Sequence, residues 1–160
     1  MIYLKFEKTL DGNSTEKGYE KQLIIDSYSH SLVNPLTVKI GNSDRTSDGP
    51  QFSQMSFSKV MDISTPLLYQ ACANNRILGA ATISVTRVEG GEQMLTIKYV
   101  LGDAMIESIS TSGAAGSDLP YDNFTINFST ITSEYTKQKV DSSKEGVAPF
   151  GWDLTLRQPK

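Results

Sequence analysis
The segment from Met55 to Cys72 passes from the period of a strand to the period of a helix, and that change constrains the rest of the chain most. Met55 and Phe57 alternate with Ser56 and Ser58, as in a strand with one buried face. Thr65 then reads as an N-cap, and Pro66 suits the first helical position, where its missing N–H would have had no partner. Leu68, Ala71 and Cys72 follow at helical spacing and set one narrow apolar stripe against a core. Asn74-Asn75 and Gly79 close the helix after roughly two to three turns. Most of the remaining chain reads as strand, so one short helix must cover the face or mouth of a β structure.

Ile2, Leu4 and Phe6 alternate with Tyr3, Lys5 and Glu7 ahead of an Asp11-Gly12-Asn13-Ser14 turn cluster. Leu23 and Ile25 open a second strand that is predicted to continue to Ser31, where Asn34-Pro35 interrupts. Leu36, Val38 and Ile40 share one face of a short piece. From Gly41 to Pro50 no apolar side chain occurs, which predicts an exposed loop of a length that is often functional in compact domains. After the helix, Ile83 and Val85 mark a strand, Glu89-Gly90-Gly91-Glu92 a hairpin turn, and Leu95, Ile97, Tyr99 and Leu101 the returning strand. The apolar phase shifts at Gly102, to Ala104 and Ile106, and again between Phe128 and Ile131. Such shifts read as β-bulges that bend two long strands from one wall to the next, which favours a closed or nearly closed antiparallel barrel. Ser110 to Ser117 is a predicted loop, Asp141 to Pro149 a predicted linker, and Trp152, Leu154 and Leu156 a predicted last strand.

A chain of 160 residues suffices for one domain, because at that size about 70% of the unfolded surface is buried on folding. Fifteen basic against eighteen acidic residues give a net charge of -3, without the basic stripe that nucleic-acid binding needs to neutralise phosphates. No apolar run reaches the roughly 18 to 20 residues of a membrane helix, and the amino terminus lacks the cationic start and apolar stretch of a cleaved signal. The expectation is synthesis in the cytoplasm, with no signal peptide and no membrane insertion. Cys72, the single cysteine, has no partner for an internal disulfide.

His30 is the only histidine and stands among serines, where a polar surface residue is expected; no triad or zinc site can be assembled around it from the spacing. Cys72 lies on the helix's apolar stripe and is expected to pack. Gly113-Ala114-Ala115-Gly116-Ser117 has the look of a phosphate loop, but no Lys follows it and no helix begins there. The residues thus assign no catalytic group, cofactor or metal, and no enzyme is expected. A small antiparallel β protein must cover or pair its edges, and one way is to pair them with identical neighbours in a ring. Two readings compete with this: a non-assembling β-barrel binding module that grips a ligand with the 41–50 loop, and a hydrolase built around His30.

Four segments, in order, carry a family resemblance. They are Ile2-Tyr3-Leu4-Lys5 with Asp11-Gly12; Phe57-Ser58-Lys59 followed by Asp62, Ser64-Thr65-Pro66 and Ala71-Cys72; Leu119-Pro120-Tyr121-Asp122-Asn123-Phe124; and Gly151-Trp152-Asp153-Leu154. Together they span nearly all of the chain, which resembles the haemolysin co-regulated protein (Hcp) family, the tube subunits of the bacterial type VI secretion system. The sequence departs from that pattern at Tyr28-Ser29-His30, where many members have an aromatic pair around a small residue, and at Asn123, where an acidic residue is frequent and an edge contact is expected.

The resemblance implies a mainly β fold over residues 1–160, an antiparallel β-barrel of two packed sheets with one short flanking α-helix. It implies a structural role: hexameric rings that stack into the inner tube, are expelled by the apparatus, and carry or protect effectors in the ring lumen. The implied partners are further copies of the chain, the contractile sheath, the spike protein, the baseplate and effector proteins. The implied location is the cytoplasm before firing and the outside, or a target cell, afterwards. With Lys160 only a few residues past the last predicted strand, no toxin domain of the kind some relatives carry is expected. The 41–50 segment is expected to pack on a neighbouring subunit or ring through Asn42, Asp44, Arg45, Asp48 and Gln51, and Ser29 is expected to face the lumen.

Overall fold
The structure is a computed structural model that describes residues 1–38, 45–138 and 143–160. In chain order it contains β1 (Ile2–Phe6), β2 (Leu23–Ile25), β3 (Ser27–Ser29), β4 (Leu32–Val33), β5 (Leu36–Val38), β6 (Arg45–Ser47), β7 (Gln51–Phe52) and β8 (Met55–Val60). Helix α1 (Ser64–Ala73) follows, then β9 (Ala81–Glu89), β10 (Glu92–Gly102), β11 (Met105–Ser112), β12 (Tyr121–Asn127), β13 (Thr130–Gln138), β14 (Lys144–Asp153) and β15 (Gln158–Pro159). A seven-stranded sheet has the order β15-β14-β13-β10-β9-β1-β2, and a four-stranded sheet the order β11-β12-β8-β3. Neighbours in both sheets pair antiparallel.

Period-two alternation turns one face of each sheet inward. Leu4, Phe6, Ile83, Leu101 and Ile131 of the larger sheet meet Met55, Phe57, Ile106, Phe124 and Ile126 of the smaller one in a single buried cluster. The rings of Phe57 and Phe124, opposite each other on paired strands, stack at 5.2 Å. Burial of each such side chain is worth about 1.5–3 kcal/mol. An exposed ion pair such as Lys137 with Glu145 is worth roughly 0–1 kcal/mol, so the two-sheet core dominates the stability.

The chain passes directly from a strand of one sheet to a strand of the other at three places, from β2 to β3 at Asp26, from β10 to β11 at Asp103-Ala104, and from β12 to β13 at Phe128-Ser129, and it crosses once more from β8 to β9 by way of α1. The two apolar phase shifts mark the crossings from β10 to β11 and from β12 to β13, as the barrel reading requires. They are breaks between strands, however, and the register slips among the described residues lie elsewhere, between Leu95 and Ile97, between Ile106 and Ser108, and between Lys137 and Gln138. Between β10 and β11 a Cβ on Gly102 would overlap Thr130 Oγ1, and Asp103 takes the left-handed conformation with φ 50°. The predicted single strand from Leu23 to Ser31 is in fact β2 and β3 in different sheets, and the inward residue changes from Ile25 to Tyr28 across Asp26.

Helix α1 begins one residue before Thr65. Ile63 is the N-cap position and contributes no side-chain cap, so Thr65 is a buried first-turn residue and Pro66 sits within the first turn, where backbone N–H groups have no intrahelical partner. At the other end Asn75 adopts φ 49°, and the bonds from Asn75 N to Cys72 O and from Arg76 N to Ala71 O form a Schellman closure.

Three predicted loops contain strand. The segment from Gly41 to Pro50 includes β6, whose Arg45–Ser47 pair with Val38–Leu36; Ile40 and residues 41–44 lie outside the described residues. Asp141 to Pro149 is not a linker, because β14 starts at Lys144 and pairs with β13 along its length; residues 141 and 142 are also outside the described part. β11 runs on to Ser112, so the predicted Ser110 loop starts later. All three carry few apolar side chains, which removes the periodic signal while the backbone pairing remains. The predicted last strand is replaced by the end of β14 at Trp152 and a turn that returns as β15.

Candidate functional site
The outward face of the four-stranded sheet is built from hydroxyl and amide side chains. Inward Tyr28, Phe57, Phe124 and Ile109 are anchored in or against the core, which fixes their neighbours outward. Strand register aligns Ser29, Ser56, Thr125 and Ser108 in one rung across all four strands, and Ser27, Ser58, Asn123 and Ser110 in a second. Within the rungs Ser27 and Ser58 hydroxyls are 2.8 Å apart, and those of Ser108 and Thr125 are 2.7 Å apart. The rungs line a shallow concavity of about 330 Å³. Ser29 thus sits exposed at one side of a continuous polar array. Asn123 lies in an interior strand of that array, not at an edge. Alternate serines stand in the sequence of β3, β8 and β11, but Ser110 is predicted there in a loop, and only the register between strands brings these side chains into rungs.

A second surface is the arm formed by two ribbons, β4 with β7 and β5 with β6, each a separate two-stranded sheet. At its root Ser53 N donates to Ser31 O at 3.0 Å and Ser31 N to Ser53 Oγ at 2.9 Å. His30 is held there between Phe52, with ring centroids 6.0 Å apart, and Phe128, at 5.8 Å. Its ring is half-buried and not on the surface, and burial pushes its pKa below the usual histidine value. Leu32, Val33 and Leu36 are exposed at 48%, 55% and 56%. Of the expected contact residues, Arg45 starts β6, Asp48 is exposed after it and Gln51 starts β7, while Asn42 and Asp44 lie outside the described residues. Ser29 is in the four-stranded sheet, so the expected lumen and contact residues occupy separate surfaces.

Sequence reasoning missed a buried ionic cluster between the helix and the smaller sheet. Lys59 keeps the inward phase of Met55 and Phe57, and Asp122 that of Phe124 and Ile126; both are fully buried. Lys59 Nζ lies 2.9 Å from Asp122 Oδ2, 2.7 Å from Asp62 Oδ1 and 3.2 Å from Thr65 Oγ1. Thr65 Oγ1 donates to Asp122 Oδ2, and Thr111 Oγ1 donates to Asp122 Oδ1 at 2.7 Å. Burial acts to raise the Asp122 pKa, but the hydrogen bonds from Thr65, Thr111 and Lys59 and the lysine charge outweigh it and hold the carboxyl below its usual range. The cluster ties β8, β12, β11 and the first turn of α1 together. Cys72 packs against the core, with Sγ 3.7 Å from the Glu107 carbonyl oxygen. Among the described residues no group of three or more His, Cys, Asp or Glu side chains is placed to hold a metal ion, and no helix is long and apolar enough to cross a membrane.

Two antiparallel sheets joined into a barrel, one flanking helix and a ribbon arm define the class of protein. The profile of the family described as type VI secretion system effector, Hcp, matches residues 3–135. The chain belongs to this Hcp family of the type VI secretion system. The Hcp1 protein of Pseudomonas aeruginosa is 32% identical over 101 residues, which span 62% of this chain and 62% of that protein. A solved type six secretion system protein superposes with a TM-score of 0.91 at 22% identity, covering 99% of this chain and 98% of that one. Hcp1 from Salmonella typhimurium superposes with a TM-score of 0.80 at 20% identity, covering 99% and 97%. The structural likenesses establish the shared fold.

Proposed function
We propose that this chain is the ring-forming subunit of a type VI inner tube. Six copies close a ring, rings stack into the tube, and the hydroxyl face of the four-stranded sheet, with Ser29, lines the lumen and holds effectors during transport. The chain stays in the cytoplasm until the contractile sheath drives the tube out with the spike from the baseplate. The role is assembly and passage, with no bond made or broken.

The observation that carries this reading is the arm. Leu32, Val33 and Leu36 remain exposed on ribbons separate from both large sheets, although the barrel has a complete core of its own. Further apolar side chains, Val147 and Phe150, stand exposed on β14. Two different apolar surfaces on one subunit favour a head-to-tail contact, which closes into a ring when the rotation per subunit divides a full turn. Negative-stain electron microscopy of the purified chain at micromolar concentration tests it. Uniform rings with a central hole are expected; particles that stay single at every concentration would overturn the proposal in favour of a lone β module.

A further inference from the structure
We infer that the hydroxyl array selects its cargo by hydrogen bonding to neutral polar polypeptide and not by charge, so the partner class is segments rich in Ser, Thr, Asn and Gln. This inference rests on the proposal that the four-stranded sheet faces the lumen.

Three features of the face carry it. First, 21% of the chain is charged, yet none of the residues lining the concavity is. The carboxylate beyond the Ser108 end of one rung, Glu107, accepts from Gln54 Nε2 at 3.2 Å. Second, every outward group in the two rungs both donates and accepts, and such groups match the peptide groups and the hydroxyl and amide side chains of another chain. The hydroxyls of Ser29 and Ser56 make no hydrogen bond among the described residues and are directed to solvent. Third, the spacing is regular. Paired strands lie about 4.8 Å apart and alternate residues along a strand about 6.6–6.8 Å apart, which is also the two-residue repeat of an extended polypeptide laid on the sheet.

The alternatives fit this face worse. A charged segment would give up hydration with no opposite charge to receive it. An apolar segment would strip water from the hydroxyls and leave them unpaired. A neutral polar segment exchanges one set of hydrogen bonds for another, and many weak contacts let cargo hold without locking. Because no counter-ions are released, the binding is expected to be insensitive to salt.

The test measures fluorescence anisotropy of three labelled short peptides, one rich in Ser, Thr, Asn and Gln, one in Glu and one in Lys, against the purified full chain. Titrations are run at about 50 mM and about 500 mM sodium chloride. The neutral peptide is expected to bind best, with Kd moving less than about twofold between the two salts. S29A with S58A should weaken it severalfold, while S56K with T125K should transfer the preference to the Glu-rich peptide and make that binding fall about tenfold or more in high salt. A charged peptide that binds the unaltered chain tightest, with strong salt dependence that the lysine pair changes, would overturn the inference and leave the lumen assignment standing. No binding, or binding that neither pair alters while circular dichroism shows both variants folded, would overturn the inference and the lumen assignment together. Ring formation by microscopy is read separately in each variant.

Discussion
Lys59 and Asp122 show how far a single residue can depart from what its neighbours suggest. Each occupies an inward position on a strand, and each is accommodated only because the other is 2.9 Å away, with Thr65, Thr111 and Asp62 completing the shell. A buried pair of this kind adds little over a well-packed apolar pair, but removing one partner strands the other charge. K59A is therefore expected to destabilise the fold by about 3–5 kcal/mol, read as a lower urea midpoint with an unchanged slope. The depressed carboxyl of Asp122 also fixes a pH dependence. Its pKa is lower in the folded state than its ordinary 3.8, so the unfolded chain takes up the proton first. The stability it provides is complete above that value and is lost as the pH falls through the folded pKa. The urea midpoint of the unaltered chain should drop steeply below pH 3.8, whereas D122N should be less stable at neutral pH and flatter in acid. Equal slopes in acid would refute the assignment.

At the scale of elements, helix α1 and the arm contrast. The helix buries Leu68 and Ala71 and is fastened through Thr65 to two strands, so its position belongs to the core. Among the described residues the arm is held at its root by Ser31, Ser53 and the aromatic packing of Phe52 with His30 and Trp152. Deleting residues 42–48 should therefore leave the circular dichroism spectrum and the unfolding midpoint close to those of the full chain while weakening the stacking of rings. A loss of folded signal would show that the distal ribbon is part of the barrel's stability. The helix was legible in the sequence because it buries an apolar stripe, and its true start was not, because Thr65 serves a tertiary bond instead of a cap. Of the ribbon β5–β6, the alternation of Leu36 and Val38 was legible, whereas Arg45–Ser47 carry no apolar side chain and so gave no strand signal.

At the scale of the molecule, function depends on surfaces that the subunit leaves incomplete. Val147 and Phe150 on β14 are 55% and 44% exposed, so V147D with F150D should fold normally by circular dichroism and yet fail to form rings at concentrations where the unaltered chain does. Rings of normal yield from that variant would remove β14 from the contact. The sequence by itself determined the two-sheet class, the single helix, the hairpin at Gly90-Gly91 and the sheet crossings near Gly102 and Phe128. Each of these follows from local periodicity or backbone preference, which a chain carries in its residue order. Only the tertiary structure decided that Leu23–Ser31 divides between two sheets, that Lys59 and Asp122 meet, and that serines from four strands align in two rungs. Those features depend on register between segments distant in the chain, and register is set by the packing of the whole core.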